Sequence, residues 1–507
     1  MNKKKASESL VLFVAIFGTG MVYLDQTALN VALPALQQSL GADISGIQWI
    51  LDSYILTLSA LLLLGGVLGD QYGRVRVYAV GMFLFVVTSI LCGFAQSVPQ
   101  IICARALQGV GGALIVPGSL ALLNANVAAG KRGSVIGTWA TLTSMLIAFG
   151  PTLGGWMVDN LSWRMIFFIN VPLGLVAGGL SIRYVPESTN PNKKGPLDLP
   201  GALTLLIGMM GLLFGLIEGP RLGWERPIIW GSLLGGVLFL FLFVGIEHWG
   251  ANPMVPLTLF RHRVFTWINL LTLVHWTAIN TFFYFLPITL QQAHGYSALH
   301  AGMSILPISL SITLLSRLSG RATDRFGAYR LMIIGVLLTG IGFGWMGWQN
   351  SFQQYWTELF PVTLIYGVGL GLLIAPLTTV AMGSLPNELS GLASGINNTA
   401  ARISGMLAIA IFGSLLATQF RQELMMQLGK RPLSTSFYQQ LMAQSGDLGA
   451  MEIPTGLSAE VGNSVQEAIR LSLVGSFQWI MWGCVGIAIL SLLILVALGP
   501  KVDESAG

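Results

Sequence analysis

The chain consists largely of apolar runs whose length matches the thickness of a lipid bilayer. A membrane-spanning helix needs about 20 mostly apolar residues. Runs of this kind recur about fourteen times, near residues 10–36, 46–68, 77–96, 100–123, 133–158, 164–184, 200–218, 228–249, 264–290, 299–319, 331–349, 357–380, 389–418 and 473–498. Only 9% of the residues are charged, against about 25% in soluble domains. The sequence therefore predicts an all-α integral membrane protein with fourteen transmembrane helices.

The distribution of basic residues predicts the orientation of these helices. An even number of spans places both termini on one side, and Lys and Arg accumulate on cytoplasmic loops. The short loops opposite the N-terminus contain only Arg164, Arg221 and Arg226. We therefore expect cytoplasmic termini and a multi-pass protein of a bacterial-type cell inner (cytoplasmic) membrane. The basic residues on the N-terminal side are Lys3, Lys4, Lys5, Arg74, Arg76, Lys131, Arg132, Lys193, Lys194, Arg261, Arg263, Arg321, Arg325, Arg330 and Lys501.

Two polar connections divide the predicted helices into blocks. The loop at 185–199 is rich in Pro, Asn and Lys, and a second polar connection covers 250–263. Such composition is typical of surface linkers. The last block includes a long extracytoplasmic segment at about 420–471, which is either a plain connector or a part of gating or substrate entry. The predicted domains are an N-terminal six-helix bundle at 1–184, a linker with two inserted transmembrane helices at 185–262, and a C-terminal six-helix bundle at 263–507.

One loop motif occurs twice. Four residues of the first copy align without a gap with four of the second: Gly66, Asp70, Gly73 and Arg76 with Gly320, Asp324, Gly327 and Arg330. Each loop joins the second and third spans of its block, a duplication typical of secondary transporters. Glycines permit tight turns, and an aspartate at a helix end caps N–H groups or pairs with arginine. The loops are therefore predicted either to set the membrane topology alone, through their basic residues, or to form a conformational latch. The latch residues would be Gly69, Asp70, Gly73, Arg74, Arg76, Asp324 and Gly327.

Few charged residues lie inside the apolar runs, and Asp25 and Asp52 are the acids expected to lie deepest. Asp25 falls in the first run, Asp52 in the outer part of the second, and Arg105 in the fourth. A charge within a span is costly unless it faces protein or water. Asp25 is therefore either a proton or cation site on a transport path or a structural hydrogen-bonding group. Asp52 is either a functional acid or a water-exposed residue at the outer mouth. Because an arginine keeps its proton, Arg105 needs an acceptor.

The ninth predicted span contains a concentration of aromatic and polar residues, including His275, Trp276 and Tyr284. Aromatic rings suit a wide pocket for flat or cationic ligands, although they also occur on core and lipid-facing surfaces. A lone histidine in a span can titrate, but it is more often a hydrogen-bonded structural residue. The candidate substrate-binding residues are Asn30, Asp52, Tyr54, His275, Trp276, Tyr284 and Asn398.

Several motifs resemble those of the major facilitator superfamily, and within it the fourteen-helix drug:H⁺ antiporter branch of the multidrug or quaternary-ammonium efflux type. The resemblance covers nearly the whole chain. Two positions depart from the pattern: Leu146 replaces a glycine upstream of the fifth-helix motif, and Ala328 stands in the second loop where the first has Arg74. The motifs are the loop at 65–76, the fourth-helix run at 104–113, the fifth-helix run at 150–156, the first-helix run at 24–34, and the residues at 163–164 and 170–172.

The resemblance implies two six-helix bundles around a central cavity where the first and fourth helices meet. Asp25 would then pair with Arg105, and a change in this pair between conformations would couple protonation to transport. Acids at places like Asp25 and Asp52 are associated in this branch with protons and cationic drugs. The antiporter motif of the fifth helix, either a leak-limiting packing hinge or a plain kink, would comprise Gly150, Pro151, Gly154 and Gly155.

Together these features predict a proton-coupled secondary active exporter (antiporter) that moves amphipathic or cationic drugs, or other small hydrophobic compounds, by alternating access. We expect no enzymatic activity, no cofactor and no metal, and the sequence lacks a Walker-type motif for ATP-driven transport. Two alternatives remain: an exporter of lipids or lipid-linked molecules on the same fold, and a non-transporting membrane receptor or assembly factor. The expected partners are a small-molecule or lipid substrate, protons and the lipid bilayer, without nucleic acid, and we expect a monomer.

Overall fold

The structure of the protein, a computed structural model, describes residues 7–127, 132–189, 197–250, 253–349, 351–352, 354–385, 390–431, 433–454 and 457–499. Within these ranges the chain is helical and forms no strands. Fourteen helical stretches of the described residues are long and apolar enough to cross a membrane. This number confirms the fourteen spans predicted from hydropathy, while the side on which the termini lie stays a prediction.

The part of the chain that precedes residue 250 forms nine helices among its described residues. Most of them are 21 residues or longer, as spanning requires. They are α1 (Glu8–Leu40), α2 (Ile44–Tyr72), α3 (Arg74–Phe94), α4 (Val98–Asn126), α5 (Arg132–Asn160), α6 (Met165–Phe168), α7 (Asn170–Tyr184), α8 (Leu199–Leu222) and α9 (Pro227–Trp249).

The predicted sixth span, near 164–184, is one helical stretch, Met165–Tyr184, in which a hydrogen bond is missing near Ile169 while that residue keeps helical dihedrals (φ −62°, ψ −27°). Helix α6 ends at Phe168 and α7 begins at Asn170. Pro172 has no backbone N–H and cannot donate to the carbonyl of Phe168, so the regular hydrogen-bond ladder is broken at this point. The break lies next to Asn170, whose side chain is fully buried and belongs to the polar site described below.

The remaining described residues form nine further helices. A 3₁₀ turn (Leu257–Arg261) precedes the first of them, and π-helical turns occur at Tyr355–Leu359 and Ala408–Phe412. The helices are α10 (Arg263–His294), α11 (Ala298–Met303), α12 (Leu306–Phe326), α13 (Ala328–Trp348), α14 (Phe360–Gly383), α15 (Ser390–Leu407), α16 (Gly413–Gly429), α17 (Thr435–Ala443) and α18 (Ala459–Leu498).

The chain divides into two compact units. The first unit comprises Met1–Leu29, Trp49–Leu212 and Gly231–Leu257, and the second comprises Asn30–Gln48, Leu213–Trp230 and Thr258–Gly507. Helices α1 and α2 each pass from one unit to the other, and so do the two helices of the predicted insertion, α8 and α9. The predicted domain boundaries at residues 184 and 262 stay a prediction.

The second unit contains the segment expected at about 420–471, and much of that segment is helical. Helix α16 continues to Gly429, α17 and a 3₁₀ turn (Ser445–Ala450) follow, and α18 already begins at Ala459. The hydroxyl of Ser458 accepts a hydrogen bond from the backbone N–H of Val461 and caps α18, a start that hydropathy alone does not mark.

Candidate functional site

A buried polar network in the first unit is centred on Asp25 of α1. Its carboxylate forms an ion pair with Arg105 of α4, and both side chains are completely buried. Asp25 Oδ1 also accepts hydrogen bonds from Gln108 Nε2 at 3.2 Å and from Asn170 Nδ2 at 2.9 Å. Ser89 Oγ accepts from Gln108 Nε2 at 2.8 Å. Side chains of α4 and α7 therefore meet the carboxylate of α1, and Ser89 joins α3 to the network through Gln108.

The guanidinium of Arg105 has further contacts that fix its position. Its Nη1 donates to Gln108 Oε1 at 2.7 Å, and its Nε donates to the carbonyl oxygen of Ile50 at 3.3 Å. Its central carbon lies 4.0 Å from the centre of the Tyr54 ring, a cation–π distance. The Tyr54 hydroxyl in turn donates to the carbonyl of Val22 at 3.1 Å. Arg105 is thus held between α1 and α2.

Small residues on α4 allow this approach. A Cβ added to Gly109 would overlap the carbonyl oxygen of Tyr54 and the hydroxyl of Thr57. The hydroxyl of Thr57 donates to the carbonyl of Ala106 at 2.7 Å. Close packing of α2 against α4 therefore depends on a glycine one turn after Arg105, as expected for helices that associate in a membrane.

The second acid of this unit, Asp52 of α2, has a contrasting environment. Its side chain is completely buried, and neither carboxylate oxygen has a hydrogen-bond partner among the described residues. The buried hydroxyls of Ser53 and Ser59 on the same helix are also unpartnered. An unpaired charge in such a place is costly.

The other predicted substrate-binding residues lie in the second unit, apart from Tyr54. His275 is fully buried, with Nε2 3.0 Å from Thr339 Oγ1 and Nδ1 3.2 Å from Ser491 Oγ. Its two ring nitrogens therefore join three helices of the C-terminal region. Tyr284 is buried and packs edge-on against Phe285, Asn30 and Trp276 are half-buried, and Asn398 is exposed. Contact of these residues with substrate stays a prediction.

The first copy of the repeated loop forms a compact ionic turn. Arg74 donates to Asp70 Oδ1 through Nε at 3.0 Å and through Nη2 at 2.9 Å. Gly73 joins α2 to α3 with φ of 112°, a conformation that favours glycine. Gly69 is buried, and Arg76 is exposed. This geometry is compatible with the predicted latch, whose switching stays a prediction.

A residue that the sequence analysis did not identify completes this turn. The carboxylate of Glu187, from the loop after α7, accepts from the backbone N–H of Val75 at 2.9 Å and of Arg76 at 3.1 Å. It thus caps the start of α3 across more than a hundred residues, a relation that no local pattern reveals. In the second copy of the loop, Gly327 has φ of 82°, and the side chain of Asp324 lies outside the described residues.

The glycines of the fifth-helix motif pack α5 against α1. A Cβ on Gly150 would overlap the hydroxyl of Thr27, and one on Gly154 would lie 2.6 Å from the carbonyl oxygen of Ala28. Gly155 is buried, and Pro151 lies inside α5. These contacts are close to Asp25 in the sequence of α1, so the motif fixes the backbone that carries the acid.

The neutral members of the network, Ser89, Gln108 and Asn170, were also missed. Gln108 and Asn170 lie within the motif residues at 104–113 and 170–172, which did not show that they contact Asp25, and Ser89 belongs to none of the motifs. Among the described residues, no group of three or more His, Cys, Asp or Glu side chains is placed to hold a metal ion.

Comparisons with known proteins agree with this architecture. The family model described as Major Facilitator Superfamily matches residues 15–409. The chain is 34% identical over 417 residues to the multidrug resistance protein Stp of Mycobacterium tuberculosis, covering 81% of this chain and 76% of that protein. It is 33% identical over 414 residues to the tetracenomycin C resistance and export protein of Streptomyces glaucescens, with the same coverage.

A solved structure shows the same fold at low sequence identity. A bacterial homologue of the human lysosomal transporter Spinster, in an inward-facing and unoccupied conformation, gives a TM-score of 0.63 at 14% identity and covers 97% of this chain and 98% of its own. The family model, the relatives and the shared fold lead to one conclusion. The chain belongs to the major facilitator superfamily and is a multi-pass membrane transporter, with multidrug and antibiotic efflux proteins among its relatives.

Proposed function

We propose that this transporter exports amphipathic or cationic small molecules in exchange for protons, by alternating access. The observation that carries the proposal is the presence of two buried acids in one unit, one paired with Arg105 and one without a partner. Buried carboxyls in such different surroundings are typical of groups that take up and release protons at different stages. The efflux relatives support the direction of transport and the substrate class.

In this proposal the ion pair of Asp25 and Arg105 couples protonation to conformation. While the pair is intact, the positive charge and the hydrogen bonds hold Asp25 ionised. A rearrangement that separates α1 from α4 removes this stabilisation, and Asp25 then takes up a proton. The loop formed by Asp70, Arg74 and Gly73 acts as a latch for one conformation, and the glycines of α5 keep α1 closely packed during the change.

Substrate recognition is assigned to Asp52 for the positive charge and to aromatic side chains for the apolar body. Tyr54, Trp276 and Tyr284 supply rings of the kind that bind flat or cationic ligands. Asn30, His275 and Asn398 add polar groups. We further propose that the protein is a monomer in the inner membrane and that both termini are cytoplasmic.

The proposal is tested in proteoliposomes that contain a pH-sensitive dye and carry an imposed proton gradient. Tetraphenylphosphonium, a bis-quaternary cation, a neutral amphiphile and a fluorescent lipid are added in turn to wild type and to Asp25→Asn. We expect cation-triggered proton movement in wild type and none in Asp25→Asn. The matched control is Asp159→Asn, which neutralises an exposed acid at the end of α5 and should behave as wild type.

The same assay distinguishes the rival functions. Movement of the fluorescent lipid between leaflets, without proton movement for any small compound, would replace the drug exporter by a lipid exporter. Accumulation of cation against its gradient by folded Asp25→Asn would remove that residue from the coupling mechanism. Size-exclusion behaviour and helical content of each variant establish that it is folded.

A further inference from the structure

We infer that the turn at 445–450 is part of a gate: it holds the end of α1 against α10, and it must detach from α1 before substrate leaves on the side of the membrane opposite the N-terminus. This inference rests on the proposed alternating access and deepens it. It gives a task to the segment at about 420–471, which the sequence left open between a plain connector and a part of gating or substrate entry.

The contacts of this turn form a closed ring of hydrogen bonds. Gln37 of α1 donates through Nε2 to the carbonyl of Asp447 at 3.0 Å, and its Oε1 accepts from Gln292 Nε2 of α10 at 2.9 Å. Gln292 Oε1 then accepts from the backbone N–H of Gly449 at 3.2 Å. Each glutamine amide therefore uses both its oxygen and its nitrogen, and the ring joins α1, α10 and the turn within the second unit.

The hydrogen bonds of the ring suit a contact that opens and closes. They join neutral amide and backbone groups, and water can replace each of them, so each contributes only modestly to stability. Opening the ring leaves no unpaired charge behind, which would be strongly unfavourable in a buried place. The ring can therefore hold the end of α1 without preventing its release.

Both helices that the ring joins contain a proline shortly before the glutamine. Pro34 precedes Gln37 by three residues within α1. Pro287 precedes Gln292 by five residues within α10. A proline inside a helix donates no hydrogen bond to the carbonyl four residues earlier, and the helix bends more easily there. In α1 that carbonyl belongs to Asn30, the residue at which the helix passes from the first unit to the second, so the end of α1 can move as a separate piece.

The backbone of the turn is held in place by its surroundings. Leu448 is fully buried with φ of 52°, a conformation that is strained for leucine. Strain of this kind persists only where neighbouring contacts impose it. Gly449 lies so close to α10 that a Cβ added to it would be 2.7 Å from Gln292 Cβ. Detachment would relieve the strain but expose the leucine, and two such opposing effects are what a gate that opens and closes requires.

The gate is tested by locking it with a disulfide. A Cβ added to Gly446 lies 3.5 Å from Asp43 Cβ in the connection after α1, a separation that a disulfide spans. Asp43→Cys with Gly446→Cys is reconstituted in proteoliposomes that carry a pH gradient, in a Cys103→Ser background that removes the exposed native thiol. We expect oxidation to abolish transport of tetraphenylphosphonium and to leave its binding unchanged, and we expect reduction to restore transport.

Two controls separate the lock from side effects of the substitutions and the oxidant. Asp43→Cys and Gly446→Cys, each alone, should show transport that oxidation does not change. Gly340→Cys with Ala488→Cys joins α13 to α18, where the two Cβ atoms would be 3.2 Å apart. Both helices belong to the second unit, so oxidation of this pair should leave transport intact.

Transport that continues with the disulfide fully formed would overturn the gate alone and make the segment a plain connector. Absence of transport in wild type and in the reduced variant would instead overturn the proposed export, and the gate with it. If the double variant does not fold, labelling of Gly446→Cys by a membrane-impermeant maleimide decides. This labelling should be faster during transport than at rest, whereas Gly429→Cys, at an open position, should be labelled equally in both conditions. Equal labelling of Gly446→Cys in both conditions would overturn the gate.

Discussion

Asp25 and Arg105 form an ion pair in which both side chains are completely buried. Removing one partner leaves an uncompensated charge in the helix bundle, which costs about 3–5 kcal/mol. We therefore expect Arg105→Gln to lower the free energy of unfolding by about this amount. The double variant Asp25→Asn with Arg105→Gln should recover most of the loss, because no buried charge remains.

The measurement is the denaturation midpoint of each purified variant in detergent, combined as a double-mutant cycle. The control is Arg470→Gln, whose ion pair with Glu467 is partly exposed on both sides and whose loss should cost less than about 1 kcal/mol. If the double variant instead loses as much free energy of unfolding as the two single variants together, the two charges do not stabilise each other.

Asp447, outside the predicted spans, gives a pH-dependent prediction. Burial, and secondarily the charges of Asp43 and Glu452, raises its pKa above the usual value for an aspartate. The folded protein therefore keeps this proton over a pH range in which the unfolded chain has lost it, and stability falls as the pH rises through that range. We expect Asp447→Asn to be more stable than wild type at about pH 7 and equal to it at about pH 3.

Thermal unfolding at several pH values measures this difference. Gln440→Ala, which replaces an exposed glutamine without a titratable group, should show no pH-dependent difference from wild type. A constant difference between Asp447→Asn and wild type across the pH range would mean that the carboxyl at this position does not titrate differently in the folded state.

At the scale of elements, the start of α3 depends on a distant loop. Glu187 caps it through the N–H groups of Val75 and Arg76, and the backbone N–H of Arg74 donates to the carbonyl of Ser188 at 3.0 Å. We expect Glu187→Ala to lower stability by about 0.5–2 kcal/mol, the usual effect of losing a cap. Hydrogen exchange should increase at the first turn of α3. Glu225→Ala, in another exposed loop, should leave that exchange unchanged.

Amide side chains organise the turn at 445–450 within the second unit. Gln37 Nε2 donates to the carbonyl of Asp447 at 3.0 Å, and Gln292 Nε2 donates to Gln37 Oε1 at 2.9 Å. Gln292 Oε1 accepts from the backbone N–H of Gly449 at 3.2 Å. Between these contacts Leu448 is fully buried with φ of 52°, the only non-glycine residue with positive φ in the described chain. Its strained backbone therefore depends on the surrounding contacts.

Gln292→Ala should release this turn because it removes one bond to Gly449 and one to Gln37. We expect faster hydrogen exchange in peptides covering residues 445–450, and little change in the helices. Gln440→Ala replaces an exposed glutamine of α17 and serves as the control. Unchanged exchange after Gln292→Ala would show that burial of Leu448 alone holds the turn.

At the scale of the whole molecule, the sequence predicts the features that follow from insertion into a lipid bilayer. The number of spans follows from hydropathy, and a partner for Arg105 follows from the cost of an unpaired charge. The neutral side chains around Asp25 were not predictable, because uncharged polar residues occur throughout spanning helices. Nor was the cap by Glu187, since it depends on a distant contact.

The division of α1 and α2 between the two units was also beyond sequence reasoning. A hydropathy profile does not divide a span, whereas packing assigns the end of α1 and the start of α2, Asn30–Gln48, to the second unit. The bonds that join this turn to its own unit, such as Gln48 Nε2 to the carbonyl of Ile409 at 2.7 Å, connect residues more than 350 positions apart. Such contacts depend on how helices are arranged, and the pattern within a helix does not contain that information.

If the proposed antiport exchanges one proton for one monovalent cation, this stoichiometry has a consequence for transport by the intact protein. No net charge crosses the membrane in a cycle, so the membrane potential does no work on it. A pH gradient does drive the cycle. A difference of one pH unit supplies about 1.36 kcal/mol per proton, which supports about a tenfold concentration ratio of cation. In proteoliposomes we therefore expect tetraphenylphosphonium accumulation to follow the imposed pH difference and to ignore a potential set with potassium and valinomycin.

A bis-quaternary cation provides the internal contrast, because its second charge is not matched by a proton. Its exchange for one proton moves one net positive charge, and a potential that is negative inside should oppose its export. Protein-free liposomes correct for passive partition of both cations. If the potential affected the monovalent and the bis-quaternary cation equally, the exchange would move net charge in both cases, and it would not be one proton for one monovalent cation.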